Sequence, residues 1–320
     1  MILTVTLNAA LDITYAVPRL LAHSSHRVTR VTERPGGKGL NVARVLAALG
    51  HRAVATGFVG GATGAALREQ LAAVEGVEDA LVPIAGSTRR TIGVVDAASG
   101  DTTQLNEPGP TVTSAEWDAF ATAYAGLLGG PDLQAVALCG SLPPGVPVGA
   151  YAHLVRGARG AGVPVLLDTS GEALRRGLAA RPDLVKPNTD ELAGLTGFTE
   201  PLRAAHDARK RGARTVAASL GADGMLVVTA EGGWRAAPPT RIAGNPTGAG
   251  DSAVAGLLSG LAERLPWPDR LARAVALSAA TVRSPAAGEF DRPTYDELLS
   301  TIKVTETGKV TETGSPEPGS

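Results

Sequence analysis

The sequence predicts an α/β fold: a three-layer α/β/α sandwich with a mostly parallel central sheet and a small antiparallel β lid. Three features lead there. Along most of the 320 residues, short buried-strand runs alternate with helical patterns, which implies parallel strands covered on both faces by helices. Two stretches, about 11–33 and 84–106, break that alternation with period-2 patterns and no helix beside them. Two glycine-rich segments, beginning near residues 36 and 248, each open straight into an apolar helical pattern.

In chain order, apolar runs at 2–7, 53–59, 134–139, 163–168, 182–186, 214–218 and 224–229 read as buried strands. Helical patterns fall at 38–50, 113–128, 147–160, 188–195, 201–212, 248–265 and 268–284. Val42, Val45, Leu46 and Leu49 mark the buried face of the first, and Ala253, Val254, Leu257, Leu258, Leu261 and Leu265 that of the 248–265 helix. Right-handed crossovers between parallel strands then give the sandwich. The lid stretches carry Ile92 and Val94 at alternate positions and are entered beside Asp12 and Arg89. Such a sheet can close over a ligand or pair with a second copy as a homodimer surface. The folded unit is expected over 1–302. The tail 303–320 repeats Lys303-Val304-Thr305-Glu306-Thr307-Gly308 as Lys309-Val310-Thr311-Glu312-Thr313-Gly314 and is expected to be disordered, with no part in chemistry.

A hydrophobic content of 44% and a formal net charge of -1 fit a globular chain and speak against nucleic-acid or membrane-surface partners. No apolar run reaches the length of a membrane span, and Met1 to Asn8 lacks the features of a signal peptide. With Cys139 as the single cysteine, an internal disulfide is excluded and a reducing cytoplasm is expected. His23 and His26 are the closest histidine pair, and no Cys or carboxylate cluster accompanies them to make a metal site.

The segment Asn245-Pro246-Thr247-Gly248-Ala249-Gly250-Asp251-Ser252 puts unpartnered N–H groups of a helix start behind three small residues, which suits a phosphate. Asp251 would repel such an anion, so it makes chemical sense as the base that takes a proton from a hydroxyl attacking the phosphate. Read alone, the segment is equally an ordinary glycine turn with a dipole-favoured Asp at a helix start. Gly36-Gly37-Lys38-Gly39-Leu40-Asn41 is a second such start, in which Lys38 adds a cation and Asn41 a hydrogen-bonding amide. It is not a phosphate loop of the Walker type: Thr32 and Gly39 stand where that motif needs Gly and Ser or Thr. Asp12 follows the first strand, where α/β folds place ligands, and can accept hydrogen bonds from two sugar hydroxyls. Arg27, Arg89 and Arg90 sit in the lid stretches and could clamp a phosphate on closure, though each taken singly is also an ordinary surface charge. Asn188 to Glu191 has capping-box spacing, and the same pair could hold Mg²⁺ through water. The Ser219 to Gly224 turn could be a hairpin connection or a surface for a nucleotide.

Together these pieces resemble the ribokinase-like (PfkB) carbohydrate kinases over about residues 1–300. Both family signatures occur in order, with Lys186-Pro187-Asn188 and Ser219-Leu220-Gly221 between them. Thr4 to Asn8 with Asp12, the Gly-Gly-Lys-Gly form of the first signature, Thr88-Arg89 and Gly140-Ser141-Leu142-Pro143 resemble the branch acting on ketohexose phosphates. The resemblance implies an ATP- and Mg²⁺-dependent kinase whose partner is a sugar-phosphate substrate. Fructose 1-phosphate is favoured through Leu105 to Pro110, and tagatose 6-phosphate comes next. Fructose 6-phosphate, an unphosphorylated sugar, a nucleoside and a non-catalytic sensor are lesser alternatives. It further implies Asp251 as catalytic base, with Gly248, Ala249 and Gly250 as anion hole. Asp12, Gly37 and Asn41 would meet sugar hydroxyls, and Lys38, Arg89, Arg27 and Ser141 the phosphate already on the sugar. Lys186, Asn188, Ser219, Gly221, Gly224 and Gly250 would face ATP, with Asn188 and Glu191 organising Mg²⁺ through water. One departure stands out: Ala9-Ala10 follows Asn8 where the branch has Pro, which is expected to loosen the approach of Asp12.

Overall fold

The structure, a computed structural model, describes residues 1–284 and 286–307. The chain opens with β1 (Ile2–Thr6), then leaves the main sheet for β2 (Ala10–Val17) and β3 (Arg30–Gly36). It returns through α1 (Lys38–Ala48), β4 (Ala53–Val59), α2 (Gly61–Ala72), β5 (Val77–Asp79) and β6 (Val82–Pro83). A second excursion gives β7 (Arg89–Asp96) and β8 (Thr102–Asn106). The body continues with α3 (Ser114–Leu128), β9 (Ala135–Cys139), α4 (Ala150–Gly160), β10 (Val165–Asp168), α5 (Gly171–Ala179) and β11 (Leu184–Val185). Then come α6 (Thr189–Thr196), α7 (Pro201–Lys210), β12 (Thr215–Ser219), β13 (Met225–Val228) and β14 (Gly233–Ala236). The chain closes with α8 (Ala249–Ala262), α9 (Trp267–Val282), α10 (Arg292–Thr301) and β15 (Val304–Thr307).

The main sheet runs β15-β14-β13-β12-β11-β10-β9-β1-β4-β5, with β6 also on β4. From β5 to β12 every pairing is parallel, and β12 to β15 pair antiparallel. Strand β1 is buried along its whole length, as a strand covered on both faces must be. Two apolar clusters fill the two sides of the sheet, one holding Leu40, Val254, Leu258 and Leu277, the other Phe120, Tyr151, Leu154 and Leu178. The chain leaves β1 toward β4 on one side and reaches β9 on the other. That reversal opens a crevice at the carboxyl ends of the strands, where ligands of open α/β sheets bind. No helix among the described residues is long and apolar enough to cross a membrane.

The small sheet has the order β3-β2-β7-β8, antiparallel in its outer pairings and parallel between β2 and β7. Three helices escaped the sequence pattern. Gly61 and Gly64 dilute α2, whose buried residues are Gly64, Leu67 and Leu71, while α5 and α10 are short. The tail expectation needs correction, because Val304–Thr307 pairs with β14 as an edge strand instead of being disordered from residue 303. The free edge of β14 supplies backbone partners, and Ile302 and Val304 pack on the main core beside Trp234. The rest of the tail, with the second copy of the repeat, lies outside the described residues.

Candidate active site

Five parallel strands deliver their last residues to the crevice. Asp251 follows the N-cap of α8, and its side chain is buried at 6% exposure. Asn41, from the first turns of α1, donates from Nδ2 to Asp251 Oδ2 at 2.8 Å, fixing one carboxylate oxygen and leaving the other free. Asn41 Oδ1 is buried without a partner, a place for a ligand hydroxyl. Burial pushes the Asp251 carboxyl up to about 6; Lys38, Asn41 and Lys186 pull it down, and Asp168 pushes it further up. A carboxyl poised there is ionised at neutral pH yet basic enough to accept a proton.

No side chain caps α8, whose N-cap Gly248 has φ 85°. A Cβ at Gly248 would stand 2.7 Å from the Ala287 Cα, so both conformation and contact call for glycine. The Ala249 N–H is engaged with the Pro246 carbonyl at 3.1 Å. That leaves the N–H groups of Gly250 and Asp251, too early in the helix to reach an intrahelical carbonyl, as the donors open to an anion.

On the lid side, Asp12 lies within β2, opposite Arg34 on one flank and Thr91 on the other. Burial raises its carboxyl to about 6, against the pull of Thr91, Arg89 and Arg44. A Cβ at Gly36 would run into that carboxylate. Ala9 and Ala10 are fully packed and β2 is paired on both sides through Asp12, so the missing Pro leaves Asp12 firmly placed. Asp12, Arg44, Thr91, Asn245, Thr247 and Ala287 enclose a cavity of about 70 Å³ between lid and body. A larger one, about 830 Å³, lies behind α1 against Ala47, Val74 and Phe290. Arg44 lines both cavities, whereas Asp12, Thr91, Asn245, Thr247 and Ala287 line only the smaller.

The predicted sugar-side residues are brought together with one exception. Gly37 caps α1 at φ 105°, and Lys38 begins that helix. Ser141 Oγ accepts from Asn8 Nδ2 at 3.1 Å, and the same amide reaches the Pro108 carbonyl at 3.1 Å. Arg89 is spent partly on the main chain, donating to the Asn8 carbonyl at 3.2 Å and the Glu107 carbonyl at 3.1 Å. Arg27 is the exception: it stands exposed in the loop between β2 and β3, on neither lid strand, because the strands end at Val17 and resume at Arg30.

On the nucleotide side, an isolated parallel bridge joins Asn188 to Ser219, bringing Lys186, Asn188 and the Gly221–Asp223 turn to one edge. Gly221 and Gly224 both have positive φ, 62° and 83°. Asn188 and Glu191 form a reciprocal capping box at 2.8 and 2.9 Å, so the local structural role is real. It leaves Glu191 Oε1 uncommitted at the mouth of the crevice. Among the described residues no three His, Cys, Asp or Glu side chains cluster closely enough to hold an ion. Magnesium here would have to be completed by phosphate oxygens and water, as suits that ion, with Glu191 meeting its waters.

Sequence reasoning missed Asp168. It ends β10 at 1% exposure and lies 3.3 Å from Lys38 Nζ and 3.4 Å from Lys186 Nζ. A single Asp after a Val-Leu-Leu run carries no motif, and only folding brings two lysines to it.

A buried carboxyl beside the open N–H groups of a helix start, facing a polar crevice under a lid, suits a phosphotransferase. The chain belongs to the pfkB family of carbohydrate kinases, whose profile matches residues 4–294. It is similar to 1-phosphofructokinase of Rhodobacter capsulatus, with 43% identity over 262 residues, 80% of this chain and 82% of that protein. Phosphofructokinase-2 of Escherichia coli, solved with potassium, superposes at a TM-score of 0.87 with 31% identity, covering 94% of this chain and 98% of that one. A possible 1-phosphofructokinase of Thermotoga maritima gives 0.87 with 29% identity, covering 96% and 100%.

Proposed function

We propose that this kinase phosphorylates fructose 1-phosphate at O6, using ATP and magnesium, to give fructose 1,6-bisphosphate. The observation that carries the substrate is the 43% identity with a 1-phosphofructokinase. Lys38 beside the crevice supports it by supplying a cation for the phosphate already on the sugar. Asp12 and Asn41 orient the sugar hydroxyls, and the half-buried Arg89 closes the phosphate side from the lid. Lid closure excludes water. As the hydroxyl oxygen bonds to the terminal phosphorus, Asp251 takes the proton and the bond from phosphorus to the bridging oxygen of ADP breaks. The Gly250 and Asp251 N–H groups meet the charge on the transferring oxygens. Magnesium, when bound, neutralises phosphate charge on the nucleotide side, with Glu191 and Asn188 orienting its waters. Lys186, Ser219, Gly221 and Gly224 face the nucleotide.

The second copy of the chain belongs to this reading. Asp12, Thr91 and Gln104 face the cavity, so strand alternation turns Val31 and Leu105 to the opposite face, where they are 54% and 58% exposed. An apolar outer face on a lid suits a homodimer, and a cytoplasmic location suits the single thiol.

A coupled ATP assay across fructose 1-phosphate, fructose 6-phosphate, tagatose 6-phosphate and free sugars tests the substrate. Fructose 1-phosphate should give the highest kcat/KM. A clear preference for tagatose 6-phosphate would replace this reading with the sister activity. In the same assay Asp251→Asn should lose at least about a thousandfold in kcat while still binding ATP.

A further inference from the structure

We propose that Asp168 is a positioning residue for phosphoryl transfer: its buried carboxylate holds the Lys38 ammonium toward the phosphate already on the sugar and the Lys186 ammonium toward the transferring phosphoryl group. The inference rests on the kinase reading above and concerns a residue that no motif identifies.

The carboxylate is fixed before it meets either lysine. Asp168 closes β10, paired in register with Cys139 of β9, and its main-chain carbonyl accepts the Gly140 N–H at 2.9 Å. Thr169 Oγ1 ties the next residue to the Gly140 carbonyl at 2.8 Å, and Tyr151 OH donates to the Cys139 and Gly140 carbonyls from below. The lysines arrive from separate elements, Lys38 from the first turn of α1 and Lys186 from the residue after β11. Lys38 reaches both carboxylate oxygens, at 3.3 and 3.4 Å. Each ammonium has three N–H donors, so one turned to Asp168 leaves two for phosphate oxygens.

Their directions differ. Lys186 is 5% exposed, and a Cβ at Gly250 would lie 3.5 Å from its Nζ, which sets that ammonium against the start of α8. Lys38 remains 41% exposed and faces the open crevice on the sugar side. Without the shared carboxylate the two cations would repel each other across a low-dielectric pocket and swing apart. Positioning of this kind acts through geometry, where displacements of an ångström cost orders of magnitude in rate. The ionisable groups facing Asp168 are Lys38, Lys186, Asp251, the Cys139 thiol and the Tyr151 hydroxyl, with Glu191 further out beyond Lys38. Its negative charge is one of the influences holding the Asp251 carboxyl up.

Asp168→Asn keeps the shape and removes the charge. In the full chain, assayed with ATP and fructose 1-phosphate, kcat should fall about a hundredfold and KM for both substrates should rise several-fold. The acid limb of the kcat/KM profile should move to lower pH, because Asp251 loses a repelling neighbour. Double-mutant cycles with Lys38→Met and with Lys186→Met should be strongly non-additive. Wild-type kinetics, additive cycles, an unmoved acid limb, or a change confined to the magnesium concentration required would each overturn the proposal. If the single variant does not fold, Asp168→Asn/Lys186→Met removes a buried charge pair together, and KM for the sugar phosphate should still rise because Lys38 has lost its anchor; an unchanged KM overturns the proposal. A wild-type enzyme inactive on every sugar phosphate would instead bring down the functional reading, and this inference with it.

Discussion

Asp251 sits where its own charge is least welcome. Its folded pKa of about 6 stands above the ordinary 3.8, so the folded chain holds that proton more tightly than the unfolded chain does. The resulting stabilisation is complete below the ordinary value and is lost as pH rises through about 6. Above that, the ionised carboxylate costs the fold on the order of 2 to 3 kcal/mol, at about 1.4 kcal/mol per unit. Asp251→Asn should therefore melt several degrees higher than wild type at pH 7.5 and lose that advantage near pH 4, by calorimetry at both values. Activity should rise with pH along an acid limb near 6. Asp251 and Lys38 were legible as candidates because glycines around a charged residue form an uncommon local pattern, and the fold brings both to the crevice. Asp168 was not, since its partners lie 130 and 18 residues away.

The two glycine helix starts are the elements that make the crevice, and their glycines have physical duties. Gly248→Ala puts a side chain at φ 85° and against Ala287. The strain alone is worth about 1 to 2 kcal/mol, and relieving the contact displaces the N–H groups behind Asp251. We expect kcat to drop at least about tenfold with a lowered melting temperature. Strand β15 closes the β14 edge of the main sheet. Val304→Asp should destabilise by about 1 to 2 kcal/mol in urea unfolding while kcat/KM stays at the wild-type value, because the strand lies at the sheet edge far from β1. Strands with continuous apolar runs were legible to within a residue or two. Helix α2 was hidden by glycines, and β15 was hidden because Thr-Glu-Thr becomes a strand only when β14 offers its edge.

At the scale of the molecule, the lid has two unlike faces. Its inner face carries Asp12 and its outer face the exposed Val31 and Leu105, so under the proposed function one four-stranded sheet would serve both substrate and neighbour. Val31→Glu/Leu105→Glu should shift sedimentation toward the monomer, and an unchanged sedimentation coefficient would remove the lid as the dimer surface. The hydrogen bond from Asn41 to Asp251 spans 210 positions of the chain. During synthesis Asp12, Asn41 and Asp168 therefore emerge well before Asp251, which comes only with the last quarter of the chain. Asn41 has no Asp251 to meet until α8 has been made and packed, so the candidate site is completed among the last parts of the fold.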